Sequence, residues 1–489
     1  MSNVIAVSPR FKSRSPDNKE RTVSSAPETT PNDLFPPWNQ PMAVARRLIE
    51  DLFTAGTLRT LVFWRGDWWI WKFGHWSPAA DDLEVKAPIW EYLEAQECEF
   101  NGNIVPWSPT TARINNLMEP LAILVRLRPD QEAPTWIDRS KGRPDAGRLV
   151  AMNNGLLDLD TRELHRHTPA LFNTWALEFS HDPDATCPTW ERFLEDVLDH
   201  DPKGIEAIQE WYGYGIAGRR DLHKAFMLIG PPRSGKGITS RTAQALMGTS
   251  NCVSPSLNSL GSEFGLSALV GKPFAVIEDA RADDDRRSNI TTERLLNIIG
   301  GDAVSINRKN RDYWNGTLPT RFMLVSNETP RFLDASGAIT TRFIAVKLQK
   351  SYLGKEDEEL GDRINKELPG IFNWALRGLD RLDANRKFTT PDTMAGVTEL
   401  MREMASPMTE FLEEHYVITG DDSDHLLLKD MHARFNTWRE QIGAKGIRQD
   451  SFRQQIDAAD PRIRYKNTAV DGLKKARRVF GVKPRENTW

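Results

Sequence analysis

The chain has 489 residues, more than one hydrophobic core usually serves, which predicts two to four folded units; its formal net charge of -4 argues against a protein that is basic throughout, so any nucleic-acid site must be a local patch. The 3 cysteines, Cys98, Cys187 and Cys252, form neither a Cys-x-x-Cys pair nor a disulfide framework, which argues against a zinc ribbon and for a reducing cytoplasm. No run approaches the roughly 18 apolar residues of a membrane span, and the N-terminus has no long apolar signal core, so the expectation is a soluble cytoplasmic protein without a membrane partner.

Residues 1 to about 37 are rich in Ser, Pro, Thr and charge and end in the breaker Pro36-Pro37, which predicts a disordered tail over 1–40. A helical pattern, MAVARRLIEDLF, follows and opens an N-terminal α+β domain over 41–150. Within it TLRTLVFWRGDWWIWKFGHWSP alternates aromatic and β-branched residues around Arg65-Gly66-Asp67 and Phe73-Gly74, the pattern of a small β-meander. Its Trp64, Trp68, Trp69, Trp71 and Trp76 offer faces on which bases could stack, but alternating aromatics in a short sheet more economically fill its core.

A mostly helical domain is expected over 151–220. It begins with MNNGLLDLDTRELHRHTP, where Asp158 and Asp160 have the i, i+2 spacing of two carboxylates on one strand face, as a polymerase-like metal site requires. The same residues read equally as the turn of a hairpin between GLLDL and ELHRH, without a third carboxylate in a supporting motif. Helical periodicity returns from CPTWERFLEDVLD to IQEWYGYGIAG.

An α/β domain is predicted over 221–385. FMLIG suits a buried parallel strand, and it runs into a GxxxxGK loop followed by an amphipathic helix. The candidate phosphate cradle comprises Gly230, Pro231, Pro232, Arg233, Ser234, Gly235, Lys236, Gly237, Ile238 and Thr239, with backbone N–H groups around the phosphates and Lys236 on the β and γ phosphates. Gly237 stands where Ser or Thr normally supplies a hydroxyl for Mg²⁺, leaving Thr239, Ser240 or water to replace it. A second strand, FAVI, delivers Glu278 and Asp279 to the edge where ligands bind open α/β sheets, one carboxylate for Mg²⁺ and the other for the attacking water; Asp283, Asp284 and Asp285 read as a solvated loop. A third, RFMLVSNETPRF, ends at Asn327, a candidate to orient that water. Arg342 begins a further strand and is a candidate arginine for a neighbouring subunit's nucleotide, with Arg331 competing.

Between the acidic strand and Asn327, TERLLNIIGGDAVSINRKNRDYWNGTLPTRF predicts a helix, a Gly300-Gly301-Asp302 turn and a hairpin whose tip carries Arg308, Lys309, Asn310 and Arg311, a basic loop suited to a nucleic-acid backbone. The last block, 400–489, reads as three helices and a basic segment from Arg462 to Arg485, the order of a winged-helix module.

The ordered set GPPRSGKG, FAVIEDA, GGDAVSINRKN, MLVSNETPRF and TTRF resembles the AAA+-like P-loop motor of superfamily 3 helicases, specifically the phage and plasmid primase-helicase family related to the poxvirus primase-helicase. NNGLLDLDTRELHRHTP and CPTWERFL through YGYGIAG look like that family's pre-helicase domain, and the basic tail like its winged-helix end. The resemblance implies ATP and Mg²⁺ as cofactors and a ring, commonly a homo-hexamer, that holds ATP between subunits and moves along single-stranded DNA in a bacterial host. Lys309 would follow the DNA backbone and Arg342 would act in trans. Duplex origin DNA at the C-terminal domain and a separate primase or polymerase are further implied partners; no primase catalytic domain precedes the motor. Two other readings fit part of the motif set. A nucleotide or small-molecule kinase shares the Gly-Lys-Gly loop but has no use for the hairpin, and an ATP-regulated origin-binding protein would work through the terminal module.

Overall fold

The computed structural model describes residues 34–485 apart from 73, 139, 200, 279–284, 310, 331, 333–337, 406, 442–445 and 469–474. Residues 1–33 of the tail expected over 1–40, and Asp279, Asp283, Asp284, Asn310 and Arg331, lie outside the described residues. The chain divides into two units, a smaller one that ends at Leu52 and resumes over Asp81–Leu124, and a larger one made of Phe53–Ala80 and Val125 onward.

In the smaller unit, helices Pro41–Leu52, Leu83–Glu94 and Thr111–Val125 accompany a hairpin of Glu97–Phe100 and Asn103–Pro106. Residues 34–40, which the sequence groups with the polar tail, are among the described residues. Phe35 is 4% exposed, its N–H donates to Glu97 O, and Trp38 packs on Phe100 beneath the Arg113 guanidinium.

The larger unit opens with the Trp-rich meander, strands β1 (Leu61–Trp64), β2 (Asp67–Lys72) and β3 (His75–Pro78), antiparallel in that order. Trp64, Trp68, Trp69 and Trp76 are all buried. They fill a core rather than present stacking faces. Trp64, Trp69 and Trp76 surround Phe172, and Trp76 Nε1 donates to Leu171 O at 3.0 Å. This packing is why the meander goes with the larger unit, whereas its position in the sequence groups it with the N-terminal helices.

A three-stranded antiparallel sheet follows, Leu149–Met152, Gly155–Asp158 and Leu164–His165. Asp158 closes its second turn by accepting the N–H groups of Asp160 and Thr161, and Asp160 pairs with Arg148. Both carboxylates therefore have structural partners in the hairpin reading.

Helix α1 (Pro202–Ile216) leads to strand β4 (Ala225–Ile229), the phosphate-loop region and helix α2 (Lys236–Met247). Then come β5 (Cys252–Val253), β6 (Phe274–Glu278), helix α3 (Asp285–Gly300), the antiparallel hairpin β7 (Ala303–Arg308) and β8 (Arg311–Thr317), β9 (Arg321–Ser326) and β10 (Phe343–Lys347). Strands β5, β6, β9, β4 and β10, in that spatial order, form one parallel five-stranded sheet. Every residue of β4 and β9 is buried, which explains why these segments read as continuous apolar runs rather than alternating ones. The architecture is mixed α/β around a parallel P-loop-type core.

Helix α4 (Leu368–Asn385) crosses α1 at close range. Gly213 on α1 and Gly378 on α4 permit this: a Cβ on Gly213 would lie 2.5 Å from Ala375 O, and one on Gly378 would lie 2.5 Å from Gln209 O. Around the crossing, Gln209 Nε2 donates to Trp374 O, and the buried Glu210 carboxylate receives Arg381 and Thr389.

The C-terminal part contains helices Pro407–His415, Leu428–Gln441 and Gln449–Ala459, with a sheet ordered His425–Leu427, Ala476–Phe480, Arg464–Thr468. Phe411, Phe435, Trp438 and Phe452 occupy its core.

Gly213→Ala is expected to destabilise the larger unit by about 1–3 kcal/mol through overpacking against backbone, read as a lower denaturation midpoint in urea. An unchanged midpoint would mean that the two helices can separate at no cost.

Candidate active site

The loop after β4 is held in shape before any ligand arrives. Gly230 N–H donates to Ser326 O, and Gly235 has φ 96°, a left-handed conformation that a side chain would strain, with Phe193 and Val197 packed beneath it. A short segment after β10 clasps the outer side of the loop: Ser351 Oγ donates to Pro232 O at 2.7 Å, and Tyr352 N–H donates to Arg233 O at 2.8 Å. Exposed Arg233 pairs with Glu356 at 3.4 Å.

Lys236 starts α2 and is only 8% exposed. Its Nζ donates to Gly230 O and Pro231 O, each at 2.7 Å, and to Ser234 Oγ at 3.3 Å. Burial lowers its pKa from the usual lysine value. Among the described residues the partners of this ammonium are neutral, two carbonyl oxygens and a hydroxyl, so an anion entering the loop would find a pre-positioned cation next to the N-terminus of a helix.

The replacement hydroxyls point elsewhere. Thr239 is 1% exposed and donates to Gly235 O at 3.2 Å, while Ser240 is fully buried and donates to Gly237 O at 3.2 Å. Thr239 also lies about 200° around the helix from Gly237, on the core side. In this arrangement both hydroxyls are turned to backbone carbonyls of the helix start, and either would have to leave its acceptor to reach a metal ion. Above Gly237 the nearest described neighbour of an added Cβ would be the flexible Arg241 guanidinium, at 3.0 Å.

Glu278 ends β6 and is exposed; Asn327 follows β9 directly and is exposed. Strand register sets Glu278 beside Val325, and Ser326 beside Ile229. Asn327 is thus one strand spacing, about 4.8 Å, from the chain at Gly230, and Glu278 about two. Both stand at the sheet edge that carries the phosphate loop, as parallel strands require of residues at their C-terminal ends. Asp279, the second expected carboxylate, lies outside the described residues.

Arg342 is at the opposite edge. It ends helix Ala338–Arg342, just before Phe343 pairs with Ala225 at the start of β4. A strand length of roughly 20 Å separates it from the same chain's phosphate loop. Beside it is Lys224, a residue that the motif reading passed over: its Nζ donates to Thr341 O, and burial together with the Arg342 charge lowers its pKa. A lysine before an apolar strand carries no signal of its own; only the strand register brings it to Arg342.

The β7–β8 hairpin brings Arg308 and Arg311 opposite each other across its tip, with exposed Lys309 between them in the chain. The Arg308 side chain is only 13% exposed and pairs with Asp67 at 2.9 Å. It is not available to solvent as Lys309 is. The Arg311 side chain lies outside the description.

Comparison with known proteins gives two family matches. Residues 110–199 match a family described as D5 N terminal like, and residues 228–342 match a family of unknown function, DUF5906. The second begins within β4 and takes in the phosphate loop, Glu278, the hairpin, Asn327 and Arg342. Among solved structures, the NrS-1 C-terminal region (305–718) in its apo form is similar at 12% identity and TM-score 0.47, covering 91% of this chain and 99% of that one. An A form of the same region gives 12% identity and TM-score 0.46 over 86% of this chain and 87% of that one. With a D5 N terminal like segment preceding the phosphate-loop segment, the chain resembles the phage and plasmid primase-helicases related to the poxvirus primase-helicase.

Proposed function

We propose that this chain is an ATP-dependent DNA helicase of the superfamily 3 type, serving replication of a phage, prophage or plasmid and working as a ring, commonly a hexamer. The observation that carries the reading is the placement of a basic hairpin in the chain between β6 and β9, the two strands that end in Glu278 and Asn327 beside the phosphate loop. A change at the nucleotide would thereby reach the hairpin through helix α3 on one side and along β9 on the other. A nucleotide kinase would have no use for that connection.

In this reading the loop from Gly230 to Gly237 and the Lys236 ammonium hold the ATP phosphates. Glu278, with Asp279, would hold Mg²⁺ through water and polarise the attacking water, and Asn327 would orient that water. Mg²⁺, when bound, supplies charge neutralisation on the β and γ phosphates. Arg342, too far from its own loop, serves the nucleotide of a neighbouring subunit, and Lys224 beside it adds a second cation to that face. Lys309 tracks the single strand, with Arg308 and Arg311 behind it. The C-terminal helices and basic strands, with Arg464, Lys466 and Arg477, support a winged-helix module that contacts duplex DNA.

The test is ATP hydrolysis with and without single-stranded DNA. Wild type is expected to be stimulated, Lys236→Ala to be inactive, and Lys309→Ala to hydrolyse without stimulation. A DNA-insensitive but active wild type would overturn the helicase reading.

Gly237→Thr tests the metal arrangement. The new hydroxyl has space once Arg241 swings aside, and it is expected to lower the Mg²⁺ concentration for half-maximal hydrolysis several-fold. An unchanged Mg²⁺ dependence would place the ion away from the start of α2.

A further inference from the structure

The hairpin assigned to DNA is held at its base by the Trp-rich meander of the same chain. Arg308, the last residue of β7, donates from Nη1 to Asp67 Oδ2 at 2.9 Å across 241 residues of sequence. The pair is sheltered, with the two side chains 13% and 26% exposed. A second contact lies next to it. Arg65, in the turn before Asp67, stands over the Trp64 ring at 4.4 Å and over the Trp314 ring of β8 at 5.7 Å, and its Nη1 would lie 3.0 Å from a Cβ on Gly316. Arg65 is itself fixed by Pro129 O, at 2.9 Å, and by the Glu132 carboxylate. One turn of the meander thus grips both strands of the hairpin, with an ionic contact on β7 and an aromatic one on β8.

These contacts differ in what can compete with them. A phosphate cannot replace a guanidinium stacked between indoles, but it presents to Arg308 the same planar pair of oxygens that a carboxylate does. We propose that Asp67 is a positioning residue for the DNA-gripping hairpin: it holds Arg308 as a counter-charge while the hairpin is free, and a DNA phosphate delivered by Lys309 takes its place. The inference rests on the reading of the hairpin as a DNA contact. Arg308 is sheltered, so it does not leave Asp67 for water without cost; exchange for another anion avoids the unpaired state. The meander would then keep its aromatic hold on β8 while its ionic hold on β7 responds to DNA.

The test is the affinity of the full chain for a fluorescent oligothymidylate, measured across a salt series with wild type, Asp67→Asn, Arg308→Gln, the double variant and Asp67→Glu. Asp67→Asn is expected to tighten binding several-fold, because Arg308 no longer has to leave a carboxylate, while Arg308→Gln is expected to flatten the log-affinity against log-salt slope by about 0.7, the value of one phosphate contact on a single strand. That gain must vanish when Arg308 is Gln, and Asp67→Glu, which keeps the charge, should bind like wild type. A gain that persists without Arg308, a gain in Asp67→Glu, or no gain in Asp67→Asn would each overturn the latch while leaving the helicase reading intact. Absence of any binding by wild type would instead overturn that reading, and the latch with it.

Discussion

The parallel direction of β4, β6 and β9 is the constraint on which the rest of the molecule depends. Three neighbouring strands running the same way must deliver their C-terminal residues to one edge, and here that edge receives the phosphate loop, Glu278 and Asn327. The same rule sends what precedes β4 and β10, Lys224 and Arg342, to the other edge. No folding detail of side chains is needed to divide the site in this way. On the proposed reading, a nucleotide held at one edge meets the cations of the other when a second copy presents them, and that is the argument for proposing a ring.

The second consequence of the topology is leverage. The hairpin of β7 and β8 lies in the chain between β6 and β9: helix α3 joins it to the Glu278 end of β6, and β8 runs on to the start of β9, whose far end is followed by Asn327. Its own contacts are on the meander, through Asp67 and Arg65. The hairpin therefore has a root in the motor and a lateral hold on a separate small sheet, and the ionic part of that hold is open to competition by phosphate.

Much of the nucleotide edge was legible in the sequence because it is written locally. A buried strand, a glycine-rich loop and a helix occupy consecutive residues from Ala225 to Met247, and the apolar runs of β6 and β9 end at the residues singled out. The setting of Thr239 was less legible, because sequence distance from Gly237 does not show helical phase: two residues on, the side chain is turned to the core and its hydroxyl bonds Gly235 O. The allegiance of the meander was hidden for another reason. Its tryptophans surround Phe172, roughly a hundred residues on, and no periodicity reports a partner that remote. The pairing of Asp67 with Arg308, across 241 residues, is invisible for the same reason. In the C-terminal part the helices are long enough to show a period, whereas strands as short as Tyr416–Ile418 and His425–Leu427 are not.

The central claim is that one subunit's phosphate loop is completed by its neighbour's Arg342. Subunit mixing tests it most directly: Lys236→Ala cannot hold the nucleotide but keeps Arg342, and Arg342→Ala has the reverse defect. Each alone should be inactive. Combined and allowed to exchange subunits, they should regain part of the hydrolysis rate, because some interfaces then pair an intact loop with an intact arginine. A mixture as inactive as its components, with mixed assemblies demonstrated, would contradict the account and place Arg342 outside the reaction between subunits.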